Sequence, residues 1–201
     1  VYWHHAVRSA TSMFARAFFE LRQRLDLDTF FRSSEPDAIS ALRRAAEGTR
    51  CESLLAGIFG PKRSLYKRVA EFSLYQVPEI YRLLARRPCS YLMACAETLA
   101  GQLSDCMGET IGPVEILIDA PPPHREIEFN VEIYFPKEDV YRPLHQVSPV
   151  VDSLARTQFD DYVKRVRIFA HPRLTARIAS STAFTTCLAS AISETPDIKP
   201  A

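Results

Sequence analysis

Residues 1–25 read VYWHHAVRSATSMFARAFFELRQRL. Val7, Ala10, Phe14, Ala17, Leu21 and Leu25 recur at steps of three and four, and Phe18 widens the stripe they form. That period places one apolar stripe on one face of a helix. Arg8, Arg16, Arg22 and Arg24 fall mostly off the stripe, and no Gly or Pro interrupts it. The spacing predicts a helix of about six turns, long for a globular protein, and central to the fold. Tyr2, Trp3, His4 and His5 crowd in front of the stripe, at what reads as the working end of that helix.

Working outward, Ser34-Glu35-Pro36-Asp37 carries a capping hydroxyl, an early proline and an acid three residues after the serine, a helix start. The helix it opens runs to about Glu47, where Gly48 suits an end. Cys51 to Phe59 reads as a further helix, closed by Gly60-Pro61. Lys62 to Phe72 is ambiguous: Leu65, Val69 and Phe72 fit a helix, whereas Tyr66, Arg68, Ala70 and Phe72 fit one side of a strand. Pro78 opens a helix that stops at Arg86-Arg87-Pro88, and Cys89 to Met107 is helical.

At Gly108 the character changes. VEILID at 114–119 is β-rich, and PPP at 121–123 demands an extended connection. EIEFNVEIYF at 126–135 alternates polar with apolar residues, the signal of a half-buried strand ended by Pro136. Ser148-Pro149 starts a helix to about Lys164, RVRIFA at 165–170 alternates again, and Pro172 opens a last helix to about Ile192. The fold class is therefore α+β and predominantly helical: a long N-terminal helix and helical half, then a small antiparallel or mixed sheet packed with helices. The organisation expected is a helical part over 1–107, an α+β lobe over 108–192 and a tail over 193–201, as one body with two lobes.

With 201 residues, 47% of them hydrophobic, the chain has ample material for a core. Lys plus Arg is 25 against 24 Asp plus Glu. That balance gives no bulk argument for nucleic acid or a membrane, so a charged site must come from local clustering. No apolar run is long enough to span a bilayer. The five cysteines form no CxxC pair; they read as small buried hydrophobes in a reducing compartment, the cytoplasm.

There is no GxSxG, GxGxxG, Walker loop or HExxH in the chain, so the usual nucleophile elbow, phosphate cradles and zinc helix are excluded. His4 and His5 are adjacent on one helix and cannot converge on one metal ion. Two basic clusters remain: Lys62, Arg63, Lys67 and Arg68, and the looser set Lys164, Arg165, Arg167, His171, Arg173 and Arg177. Each is either a solvated face or a phosphate site. Asp119, closing the first β-rich run, either caps a turn or serves a site.

YxHHxVRSA at 2–10, running straight into a long amphipathic helix, resembles the helix that closes the catalytic core of HD-domain phosphohydrolases of the deoxynucleoside triphosphate triphosphohydrolase (dNTPase) type. In order along the chain, DAISALRRAA, FGPKRSLYKRVAEF, VEILIDAPPP, SPVVDSL and RVRIFAHP resemble later family segments. The match extends over most of residues 1–190. The resemblance implies that Leu65 to Phe72 is a strand. It implies that Tyr2 packs on the deoxyribose of the substrate and that Trp3 lies near the base. Arg63 and Lys67 match a pair that holds regulatory nucleotide phosphates in a nucleotide-activated family member, and His5 and His171 fall where that member has lysines. The family's His…His-Asp…Asp metal constellation has no counterpart here, since no His-Asp dipeptide occurs. It lies upstream of this helix in the family, so the chain is expected to be the C-terminal portion of a longer enzyme. The divalent metal, Mn, Mg or Fe, would sit in that upstream part and none in this one.

The leading expectation is a region of a metal-dependent phosphohydrolase that supplies a pocket wall and contacts for a homo-oligomer. The alternative is a non-enzymatic module for nucleotide binding or oligomerisation. A nucleic-acid binder using both basic clusters is disfavoured by the balanced charge.

Overall fold

A computed structural model describes residues 4–121, 131–153 and 164–196. The apolar stripe folds as helix α1, His5–Leu21, with the His4 imidazole accepting a hydrogen bond from the amide of Ala6 (3.4 Å). The buried residues of α1 are Ser9, Met13, Arg16, Ala17 and Leu21. The helix is shorter than its apolar period. A single 3-10 turn, Arg22–Arg24, follows it, and Leu25 is extended. Asp26 then caps α2, Leu27–Arg32, by accepting from the amide and hydroxyl of Thr29 (3.3 and 2.6 Å). A side chain that caps the next helix ends the previous one. Burial of Arg16 also departs from the sequence reading. Its guanidinium donates to Glu20 (2.5 Å), to Glu97 and to the carbonyl of Met93 (3.3 Å), so the charge enters the interior already paired.

Ser34 caps α3, Glu35–Ala46. After it come α4, Glu52–Phe59, and strand β1, Lys67–Phe72, which decides the ambiguous stretch in favour of a strand. The approach to that strand is stitched to α1: Ser9 Oγ donates to the carbonyl of Tyr66 (2.7 Å) and the Tyr66 amide faces Met13 Sδ (3.4 Å). Gly57 of α4 sits at a close approach. A Cβ there would lie 2.8 Å from Met13 Cε and 2.8 Å from the carbonyl oxygen of Ser64.

Helix α5 is Pro78–Leu84 and α6 is Cys89–Met107, ended by Gly108 in the left-handed conformation (φ +61°). Strands β2, Ile116–Asp119, β3, Glu132–Phe135, and β4, Val140–Pro143, follow, then the short helices α7, Leu144–Val147, and α8, Pro149–Ser153. Strand β5 is Val166–Ala170. The last helix expected from the sequence is in three pieces: a 3-10 turn at Pro172–Leu174, α9 at Thr175–Ser180 and α10 at Phe184–Glu194. Ser181 is extended between the last two. The expected reach of helix past Ser153 and of strand over 126–130 lies outside the described residues.

The chain separates into two compact units, one of Val1–Glu71, Pro88–Asp119 and Arg167–Ala201, the other of Phe72–Arg87 and Ala120–Val166. In the first, a three-stranded sheet has the order β1-β5-β2. Strands β2 and β5 are antiparallel, with Leu117 opposite Phe169 and Asp119 opposite Arg167. Every residue of both strands is buried, as strands covered on both faces require. Leu117 and Phe169 join one apolar cluster with Met13, Ala17, Leu21, Leu42, Ala46, Leu54 and Leu55, which belong to α1, α3 and α4. The intervening residues Ile116, Ile118 and Ile168 point to the other face by the pleat of the strands.

In the second unit β3 and β4 form a hairpin with Tyr134 opposite Tyr141, their rings 4.9 Å apart. Asp139 takes a positive φ of 51° in its turn and accepts from the Tyr134 hydroxyl (2.8 Å). Strand β4 carries no alternating signal in VYRP and was not foreseen from the sequence. The architecture is α+β and mainly helical, with small antiparallel sheets packed against helices.

Candidate functional site at the head of helix α1

The first turns of α1 carry a polar surface beside the sheet. His4 and His5 are exposed, their rings 4.3 Å apart. One turn further, Arg8 grips Asp119 with two bonds, Nε to Oδ2 (2.9 Å) and Nη2 to Oδ1 (2.5 Å). Asp119 is buried at the end of β2. It is the carboxylate that ties α1 to the sheet. Its cross-strand neighbour Arg167 donates from Nε to Glu71 of β1 (2.9 Å), which also accepts from Arg68 (2.6 Å). Arg8, Arg68 and Arg167 thus meet Asp119 and Glu71 along one edge of the sheet.

Two of these arginines act on His5. Its pKa lies below the usual imidazole value, through loss of hydration first and then through the charges of His4, Arg68 and Arg167, with Glu71 opposing them. For Glu71, burial pushes its pKa up, but the bonds and charges of Arg167 and Arg68 outweigh it and hold the carboxyl below its ordinary value. The part of the His5 shift that comes from Arg68 and Arg167 is the part that would also attract an anion. The arrangement can bind negatively charged oxygen through Arg68 and the two imidazoles.

Tyr2 and Trp3 lie outside the described residues. Arg63 is exposed in the segment before β1, and Lys67 is exposed at the first position of the strand. Because β1 begins only at Lys67, the i and i+4 spacing of this pair falls across a loop and does not fix the two on one strand face. His171, half-buried after β5, packs edge-on against Tyr66 (5.4 Å) and accepts from the amide of Arg173 (3.3 Å), capping the turn that follows. Its Nδ1 lies 3.9 Å from Glu115, which Arg173 also binds. Among the described residues, no hydrogen bond or ion pair joins His5, Arg63, Lys67 and His171 to one another. The charged neighbours of His5 are Arg68, Glu71 and Arg167. Sequence reasoning placed both arginines in basic clusters without linking them to α1. Asp119, directly after the buried run Ile-Leu-Ile, was the one signal that a charge had to be met from elsewhere.

Among the described residues no group of three His, Cys, Asp or Glu side chains could hold a metal ion. A groove of about 650 Å³ between α2 and α3, lined in part by Arg24, Asp26, Phe30, Asp37 and Arg44, contains none of the residues above. No described helix is long and apolar enough to cross a membrane. The family described as HD associated region matches residues 1–195. No curated protein and no solved structure matches the chain.

Proposed function

The chain belongs to the HD-associated-region family, and from that premise we propose that it works as the C-terminal portion of a metal-dependent HD phosphohydrolase acting on deoxynucleoside triphosphates. Membership links it to HD-domain proteins. The observation that supports the finer reading is the exposed His4–His5 pair at the start of α1, with the positive charges of Arg68 and Arg167 from the sheet acting on His5. Polyphosphate is the substrate chemistry such a field selects. Tyr2 and Trp3 directly precede His4 in the sequence, and on this reading they wall the sugar and base. A divalent metal, Mn, Mg or Fe, held by HD residues outside this sequence, would polarise the phosphate and activate water. This chain's own part is binding and orientation: Arg68 and His5 meet phosphate oxygens, and the Arg8–Asp119 pair holds the head of α1 where they can do so.

The test is phosphate and triphosphate release from the four dNTPs by the whole metal-loaded protein, with Arg68→Ala and the pair Arg63→Ala, Lys67→Ala beside it. Arg68→Ala should raise KM about tenfold, the loss of one charge-assisted contact of about 1.5 kcal/mol. The Arg63, Lys67 pair should lower activation by added nucleotide and leave the unactivated rate alone. A whole protein that hydrolyses no nucleotide or phosphoester sinks the proposal.

A homo-oligomer is part of the same reading. Phe31 at 72%, Tyr141 at 65% and Val150 at 68% exposure are large apolar side chains that an assembly would cover. Light scattering across a hundredfold range of concentration should show a species above monomer mass. A constant monomer mass removes this element.

A further inference from the structure

Helices α6 and α10 lie against each other in the first unit, joined by a Gln102 to Ser190 hydrogen bond (3.1 Å) and by the Tyr91 hydroxyl donating to the carbonyl of Ile192 (3.1 Å). Leu99, Leu103, Leu188 and Ala191 fill the space between these polar contacts without exposure. At one end of this packed seam two thiols meet. Cys106, in the last turn of α6, and Cys187, in the first turn of α10, have their sulfurs 3.4 Å apart, one thiol donating to the other. Cys106 is exposed and Cys187 is buried.

We propose that Cys106 and Cys187 form a reversible oxidative cross-link that fastens α10 to α6. The sulfurs need to approach by roughly 1.4 Å to reach the bond length of about 2.05 Å. Both residues are in terminal turns of their helices, where small backbone shifts are least costly. The oxidant class is a peroxide. Cys106, reached by solvent, attacks the peroxide oxygen as its thiolate and becomes a sulfenic acid, and water leaves. The Cys187 sulfur then attacks the Cys106 sulfur, the S–O bond breaks, and the departing hydroxide takes the Cys187 proton as a second water. Two thiols lose two electrons and one peroxide becomes two waters. The order follows from access and acidity: burial, then the bond and charge of Cys106, push the Cys187 thiol up to about 11.

The other cysteines compete poorly. Burial pushes the Cys51 thiol up to about 12, with Glu20 adding to it, and burial pushes Cys95 up to about 11. Cys89 is exposed, and its thiol too is held above its usual value by burial of its surroundings. The cross-link would close a loop between residues 81 apart in the chain, and a loop of that length restricts the unfolded chain strongly.

The experiment treats the whole protein with equimolar hydrogen peroxide under native conditions and maps its peptides without reduction. The expected result is one intramolecular link between the Cys106 and Cys187 peptides, a rise in Tm of roughly 10 °C, and reversal of both by dithiothreitol. Cys106→Ser and Cys187→Ser should each abolish the link and the Tm rise, whereas Cys89→Ser should keep them. If Cys187→Ser does not fold, the exposed Cys106→Ser alone decides. Cys106 accumulating as sulfinic acid with Cys187 still a free thiol overturns the proposal. So does a Cys89 intermolecular link forming while the 106–187 pair stays reduced. Neither result bears on nucleotide hydrolysis.

Discussion

Phe169→Ala lowers the stability of the fold by about 3–5 kcal/mol, the usual cost of emptying a large aromatic site in a packed core. Urea titration of the variant beside the wild type measures it. Phe169 is the fourth of the five residues of β5 and has no exposure. It lies across the ladder from Leu117 and shares one cluster with side chains from α1, α3 and α4. The ring also cannot be replaced by local collapse, because its neighbours are held by backbone: Tyr66 by Ser9, and Leu117 by the strand pairing. Stabilities of domains are about 5–15 kcal/mol, so the variant should be close to unfolding at physiological temperature. Phe169→Leu, which keeps most of the volume, should cost under about 1.5 kcal/mol. A loss below about 1 kcal/mol for alanine would mean that the helices close over the site.

The second large effect is expected at Arg8. Arg8→Met should cost about 3–5 kcal/mol, because it leaves the buried Asp119 carboxylate without the partner that grips both its oxygens. The cost belongs to the stranded charge more than to the bond. Asp119→Leu in the same chain should therefore recover most of it, since an apolar pair at this depth is tolerated far better than half an ion pair. A double-mutant cycle built from Arg8→Met, Asp119→Leu and the pair measures the coupling. A coupling below about 0.5 kcal/mol would show that the head of α1 is fixed to β2 by other contacts, and the orientation argued for Arg68 and His5 would lose its support.

Much of this fold is legible in single stretches. The Ser34 cap, the stop at Gly60 and the strand at Ile116–Asp119 follow from local chemistry. So does the stripe of α1, whose period is carried by residues next to one another. What escaped reading depends on partners distant in sequence. Arg16 reads as a surface residue until Glu97, 81 residues on, is placed beside it. The hold of Arg8 on Asp119, 111 residues away, is likewise invisible in the local sequence. The break at Ser181 and the short strand β4 come from packing that no local pattern announces. The head of α1 shows the same division. His4 and His5 drew notice by their position, but the charges that act on His5 come from β1 and β5. The pair Arg63 and Lys67 comes from a resemblance to a family motif, with Arg63 before β1 and Lys67 at its first position.

The tie between Arg8 and Asp119 has a consequence for the order in which the chain becomes structured as it is made. The two residues are 111 apart. At about 5–20 residues per second of synthesis, α1 leaves the ribosome on the order of 10 s before its carboxylate partner exists. Phe169 comes later still. For that interval the partners this sequence offers the apolar stripe of α1 are α3 and α4, which are made soon after it, while Asp119 is still to come. Packing of α1 against α3 and α4 is therefore provisional, completed only when the strands arrive. The stripe is a natural place for a chaperone to hold the unfinished protein.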